Sequence, residues 1–87
     1  MSNIIRKTRA RFSETAIDEE IVAMNLDTGD FFSLTHTGKE IWELIDEFSD
    51  REVIIEALAK AYGAEKSSIG PDVDAFLVQL RNAGLVE

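Results

Sequence analysis

The chain has 87 residues, 45% of them hydrophobic and 30% charged, with no cysteine. That length closes one core and leaves nothing for a second, and the lack of cysteine rules out disulfides and thiolate chemistry. The net charge of −8 is laid out unevenly. Arg6, Lys7, Arg9 and Arg11 fall in the first eleven residues, which hold no acid, while five basic side chains face seventeen acids from residue 12 onward. Such a body repels phosphate backbones and favours encounter with cationic partners, although acid also serves simply to keep a small protein soluble. No apolar run approaches the roughly 18 residues of a membrane span, and the N-terminus lacks the apolar block of a signal peptide. The expectation is a cytoplasmic protein without a membrane anchor.

In chain order, residues 1–8 show no periodicity and read as a partly ordered basic arm, followed by one domain over residues 9–87. A short strand is expected over residues 9–14, with Ala10 and Phe12 on one face. Residues 20–26 alternate better: Val22, Met24 and Leu26 lie on one side, Ile21, Ala23 and Asn25 on the other. Asp27-Thr28-Gly29 suits a hairpin loop with Gly29 in the left-handed conformation, and residues 30–34 return as the third strand. Phe31 and Phe32 are neighbours there, so they point to opposite faces of the sheet.

Helical spacing then takes over. Thr35 is placed to cap a helix in which Ile41, Leu44, Ile45 and Phe48 recur at three and four residues and Trp42 widens the stripe. Ser49 and Glu52 have the spacing of a capping box for a second helix to about Tyr62, with Val53, Ala57, Leu58 and Ala61 or Tyr62 inward and Gly63 ending it. After a loop at residues 64–67, a third helix starts at Ser68, or at Gly70 with Pro71 in the first helical position. Ile69, Val73, Phe76, Leu77 and Leu80 form its apolar stripe, Gly84 stops it, and Leu85 and Val86 tuck back onto the core. The order is three strands, then three helices, an α+β domain of winged helix-turn-helix outline built on a three-stranded antiparallel sheet.

Reactive groups are sparse. His36 is the only histidine and sits in a first helical turn, and acid pairs such as Glu40 with Glu43 belong to solvated helix faces. There is no phosphate loop, nucleophile elbow or histidine-based metal motif, so neither catalysis nor a cofactor is expected. Nucleic-acid binding would need a cationic recognition helix. The third helix offers Asp72, Asp74, Gln79, Arg81 and Asn82 instead, and only the basic arm speaks for DNA. Peptide recognition is the third possibility. A three-stranded meander leaves residues 30–34 at an edge, and this strand lacks the lysine, proline or bulge that usually blunts one. An extended peptide would find main-chain partners there and place alternate side chains beside a helix. The competing possibility is that a helix covers the edge and both phenylalanines are core.

Residues 26–34, Leu-Asp-Thr-Gly-Asp-Phe-Phe-Ser-Leu, followed by Thr37-Gly38 and Ile41-Trp42-Glu43-Leu44, resemble the hairpin-and-helix signature of the PqqD-like family. The similarity continues through residues 54–58 and 72–77 and ends on Gly84-Leu85-Val86-Glu87. The resemblance implies a non-catalytic precursor-peptide recognition element. In such a domain the leader segment of a ribosomally made, post-translationally modified peptide is added as a strand to the third strand beside the third helix. Carried onto this chain, the peptide-binding residues are Asp30, Phe31, Phe32, Ser33 and Leu34, flanked by Asp72, Phe76 and Gln79. Thr35 stands where many relatives have asparagine. A free-standing chain of this length is most similar to leader-binding proteins of lasso-peptide pathways, whose partners are a leader peptidase and a macrocyclase. The alternative is a peptide chaperone for a radical enzyme, as in pyrroloquinoline quinone synthesis. A monomer is expected, with pairing of two open edges as the route to a dimer.

Overall fold

The computed structural model describes residues 4–87. Two tight turns organise its first half. Asp18, with a left-handed φ of 54°, reverses the chain between β1 (Phe12–Ile17) and β2 (Glu20–Asn25). The second turn, at residues 26–29, leads into β3 (Phe31–Leu34). There the Asn25 amide donates to the Asp30 carbonyl (2.9 Å), the Gly29 amide to the Asn25 carbonyl (2.7 Å), and Gly29 takes φ 79°. The sheet is antiparallel in the order β1-β2-β3, with Phe12 opposite Asn25, Ala23 opposite Phe32 and Ile21 opposite Leu34. The first strand thus begins at Phe12, three residues later than alternation suggests. Residues Arg9–Arg11 form a 3-10 turn closed by the Arg11 amide on the Thr8 carbonyl, and Ala10 is exposed. Pairing with β2 sets the register, and the missed Asp18 turn is what shifts it.

Three helices cover one face of the sheet: α1 (His36–Phe48), α2 (Arg51–Tyr62) and α3 (Lys66–Asn82). The core face of β2 is Ile21, Ala23 and Asn25, not the more apolar Val22 and Met24, because the bulk comes from the helices. Ile41, Trp42 and Ile45 of α1 are buried, whereas Phe48 is 38% exposed. Trp42 meets the edge of Phe12 with ring centroids 5.3 Å apart and donates its indole N–H to Glu14. A buried Trp thereby keeps both its apolar area and its donor satisfied.

Helix ends differ from expectation in three places. Thr35 contributes its carbonyl, accepting from the Lys39 amide (3.3 Å), but no side-chain cap, and the next residue, His36, has φ 52°. Ser49 closes α1 in a left-handed conformation and returns its hydroxyl to the Ile45 carbonyl, so the cap of α2 is Asp50, which accepts from the Glu52 (2.8 Å) and Val53 (3.3 Å) amides. Aspartate caps a helix as well as serine does, and its charge adds a favourable interaction with the helix N-terminus. α3 begins at Lys66, ahead of both expected starts, and carries Pro71 inside its second turn. Ile69 is half-buried and Gly70 fully so, the latter against Ile55 and Arg51 of α2; this packing holds a turn that proline punctuation alone would exclude. The same contact turns α2 so that Ile54, Ile55, Leu58 and Ala59 are buried, while Val53 and Ala57 are half-buried and Ala61 and Tyr62 exposed.

The described part of the basic segment, residues 4–8, lies against the core rather than apart from it; residues 1–3 of the expected arm lie outside the described residues. Ile5 is buried, its amide donating to the Ser49 carbonyl. The Thr8 amide and hydroxyl bond the Leu85 and Gly84 carbonyls, and the Glu87 amide bonds the Arg6 carbonyl. The Lys7 ammonium sits 3.9 Å from the centre of the Trp42 ring and 2.7 Å from Asp46, and Arg9 pairs with the same carboxylate. Leu85 and Val86 are buried, as their apolar character suggests.

Candidate functional site: an open strand edge beside the third helix

β3 pairs with β2 alone and forms one edge of the sheet. The alternation of antiparallel bonding decides which of its backbone groups are free. The Asn25 amide bonds the Asp30 carbonyl, and bonded pairs recur at every second residue, so the next fall at Ala23/Phe32 and Ile21/Leu34. The amides and carbonyls of Phe31 and Ser33 therefore point away from β2, along the open edge. This supplies the pattern of donors and acceptors that an added strand requires.

The two phenylalanines separate as alternation demands. Phe32 lies on the core side, half-buried against the helices. Phe31 lies opposite Met24 on the outer face and is 70% exposed. It is thus Phe32, and not Phe31, that faces the third helix. A cleft of about 390 Å³ opens beside it, bounded by Asp30, Phe32 and Asn25 from the hairpin and by Gln79, Asn82 and Ala83 from the end of α3. Asp30, Phe32 and Gln79 therefore meet at one site. Ser33 is exposed on the edge, but the Leu34 side chain is buried in the core and serves packing.

On α3, Asp72, Phe76 and Gln79 share one stripe, being four and three residues apart. Asp72 is exposed at the far end from the cleft. Phe76 is half-buried and rests on α1: a Cβ built on Gly38 would lie 3.1 Å from its ring, so the glycine makes room for it. Sequence reasoning missed Asn25, the buried polar residue that fixes the cleft. Its side-chain oxygen accepts from the Asp27 (2.8 Å) and Thr28 (3.2 Å) amides, and its amide donates to the Ala83 carbonyl (2.8 Å). One side chain thus ties the hairpin turn to the C-terminal end of α3. The available signal was an asparagine immediately before a turn, a position where such side chains bond the following amides.

A three-stranded sheet whose β3 edge is left unpaired, backed by three helices and flanked by a cleft along the last helix, defines a small winged-helix-like domain. The chain belongs to the PqqD family, whose model, described as coenzyme PQQ synthesis protein D, matches residues 20–86. Among solved structures it is similar to TbiB1 in complex with the TbiA(β) leader peptide. The TM-score is 0.82 and the identity 32%, over 88% of this chain and 90% of that one. No curated protein sequence matches it significantly. No described helix is long and apolar enough to cross a membrane, and no group of three or more His, Asp or Glu among the described residues is arranged to hold a metal ion.

Proposed function

We propose that this protein binds the leader segment of a ribosomally synthesised precursor peptide by strand addition to β3 and holds it for separate modifying enzymes. The observation that carries the proposal is the free main-chain pattern of Phe31 and Ser33 beside the α3 cleft. Family membership and similarity to a leader-peptide complex support it. The added strand takes bonds from Phe31 and Ser33, and its helix-side residues fill the cleft over Phe32 and Gln79. An interface of about six residues with one or two apolar anchors corresponds to micromolar to nanomolar affinity, roughly −8 to −12 kcal/mol. The partners in this reading are a leader peptidase and a macrocyclase of a lasso-peptide pathway, working in the cytoplasm where the precursor is made. The protein contributes binding and no chemical step, and α3, whose Asp72 and Asp74 offset Lys66 and Arg81, lacks the cationic face that a nucleic-acid recognition helix needs.

Ser33→Pro removes one outward amide while leaving the bonded pairs at Phe32 and Leu34 in place, and proline is compatible with an edge strand. Calorimetric titration with a synthetic peptide of the leader encoded beside this gene should show binding to the wild type and none to the variant, with unchanged circular dichroism. Equal affinity of a folded Ser33→Pro variant would refute strand addition at this position. The family description favours a second reading, chaperoning a peptide for pyrroloquinoline quinone synthesis. Pull-down with a radical enzyme rather than with a leader peptidase would select it.

A further inference from the structure

A second concave surface lies on α1 and α2. Leu44 of α1 and Ala57, Leu58 and Ala61 of α2 line a groove of about 310 Å³, rimmed by Glu40 and Glu43. The same two glutamates border a larger hollow of about 650 Å³ that runs to the β1-β2 turn, where Asp18, Glu19 and Glu20 gather around Ile17. The groove and hollow thus form one surface with an apolar floor and an acidic border, and none of their lining residues borders the cleft beside β3. The ion pairs among the described residues are Lys7 and Arg9 with Asp46, Arg51 with Glu52 and Asp74, and Lys66 with Glu56. Asp18, Glu19, Glu20, Glu40 and Glu43 take part in none of them; Glu40 accepts a hydrogen bond from the Tyr62 hydroxyl. Lys39 is the only lysine or arginine on this surface.

We infer that this surface docks a cationic amphipathic helix of a partner protein, independently of peptide binding at β3. Ala57 and Ala61 lie one turn apart, and small side chains at that spacing let a third helix approach and set its larger apolar residues between α1 and α2. Lysines or arginines flanking that apolar stripe would meet the five carboxylates, none of which has an ion-pair partner among the described residues. Charge also decides against other occupants. A second copy of this chain brings a net charge of −8 to an acidic border, and two of its four N-terminal cations, Lys7 and Arg9, are already engaged by Asp46. The protein then holds two partners on separate faces.

The probe is a synthetic 18-residue helix with leucine on one face and lysine on the other, and the control is a peptide of the same composition in scrambled order. Amide resonances of Leu44, Ala57, Leu58 and Ala61 should shift with the amphipathic peptide and not with the scrambled one. Ala61→Gln, which fills the groove without changing charge, and Glu43→Lys should each weaken binding about tenfold, whereas Glu87→Lys, the same charge reversal at the chain end, should not. Leader affinity should stay at the wild-type value in Ala61→Gln, so failure here and failure of the β3 reading are told apart. Equal binding of the scrambled peptide, or shifts centred on β3 and α3, would overturn the inference. So would groove shifts that follow protein concentration alone, which would mark self-association.

Discussion

Phe31 and Phe32 differ by one position and by which face of the sheet receives the ring. Phe32 packs on the core and borders the cleft, so Phe32→Ala should cost about 2 to 3 kcal/mol in chemical denaturation, while Phe31→Ala, at a ring 70% exposed, should cost less than about 1 kcal/mol. Reversed values would mean that β3 is turned the other way. Their divergence was legible from alternation, but their assignment was not. Val22, Met24 and Leu26 make the more apolar face of the second strand, yet Ala23 and Asn25 face the core because Ile41, Trp42 and Phe12 already fill that space. Gly84 shows the same dependence on a partner. Its φ is 78°, and a Cβ there would lie 2.8 Å from the Asn25 amide nitrogen. Gly84→Ala should therefore destabilise by about 2 kcal/mol and loosen the cleft, through both left-handed strain and loss of the Asn25 bond. A helix stop at Gly84 could be read from the sequence; the asparagine that packs against it could not, being 59 positions away.

Helix existence was legible from spacing, but helix faces and ends were settled by neighbours. α2 turned its Ile54 and Ile55 inward because Gly70 of α3 accommodates Ile55, and α3 gained a turn ahead of Pro71 for the same reason. Arg51 completes that α2-α3 junction: its guanidinium spans both carboxylate oxygens of Asp74, at 2.8 Å for Nη2 to Oδ2. This pairing holds the Asp74 carboxyl below its ordinary value of 3.8 and raises the Arg51 guanidinium. A carboxylate with a depressed folded pKa adds stability above its unfolded pKa and loses it as pH falls through the folded one. Comparison of wild type with Asp74→Asn by urea denaturation should show the variant less stable above about pH 5, with the gap closing below about pH 4. A gap independent of pH would mean that the pair contributes through packing alone. Both partners are partly exposed, so the effect at neutral pH is small.

At the scale of the whole molecule, the two chain ends decide whether the acidic domain stands by itself. The sequence reads residues 1–8 as a partly ordered arm, since they show no periodicity and carry Arg6 and Lys7 without an acid. The fold uses them instead: Ile5 is buried, the Lys7 side chain is 2% exposed over Trp42, and residues 6–8 bond the final strand-like segment at Leu85 and Glu87. Periodicity could not reveal this, because the segment packs as an irregular strap whose partners lie 35 (Lys7 to Trp42) to 81 (Arg6 to Glu87) positions away, beyond the reach of any local pattern. Deleting residues 1–8 should remove the burial of Ile5, worth about 1.5 to 3 kcal/mol, and the cation over Trp42, worth roughly 1 to 2. At about 4 to 8 °C per kcal/mol for a domain of this size, the thermal midpoint should fall by more than about 10 °C. A solvated arm would leave it unchanged. Lys7→Met keeps most of the aliphatic stem but removes the charge, and it should reproduce only the cation's share of that fall. The difference between the two variants, read by thermal circular dichroism, separates the apolar anchor from the only buried cation among the ion pairs of the described residues, and so tells whether the basic segment acts on the acidic domain through charge or through its core.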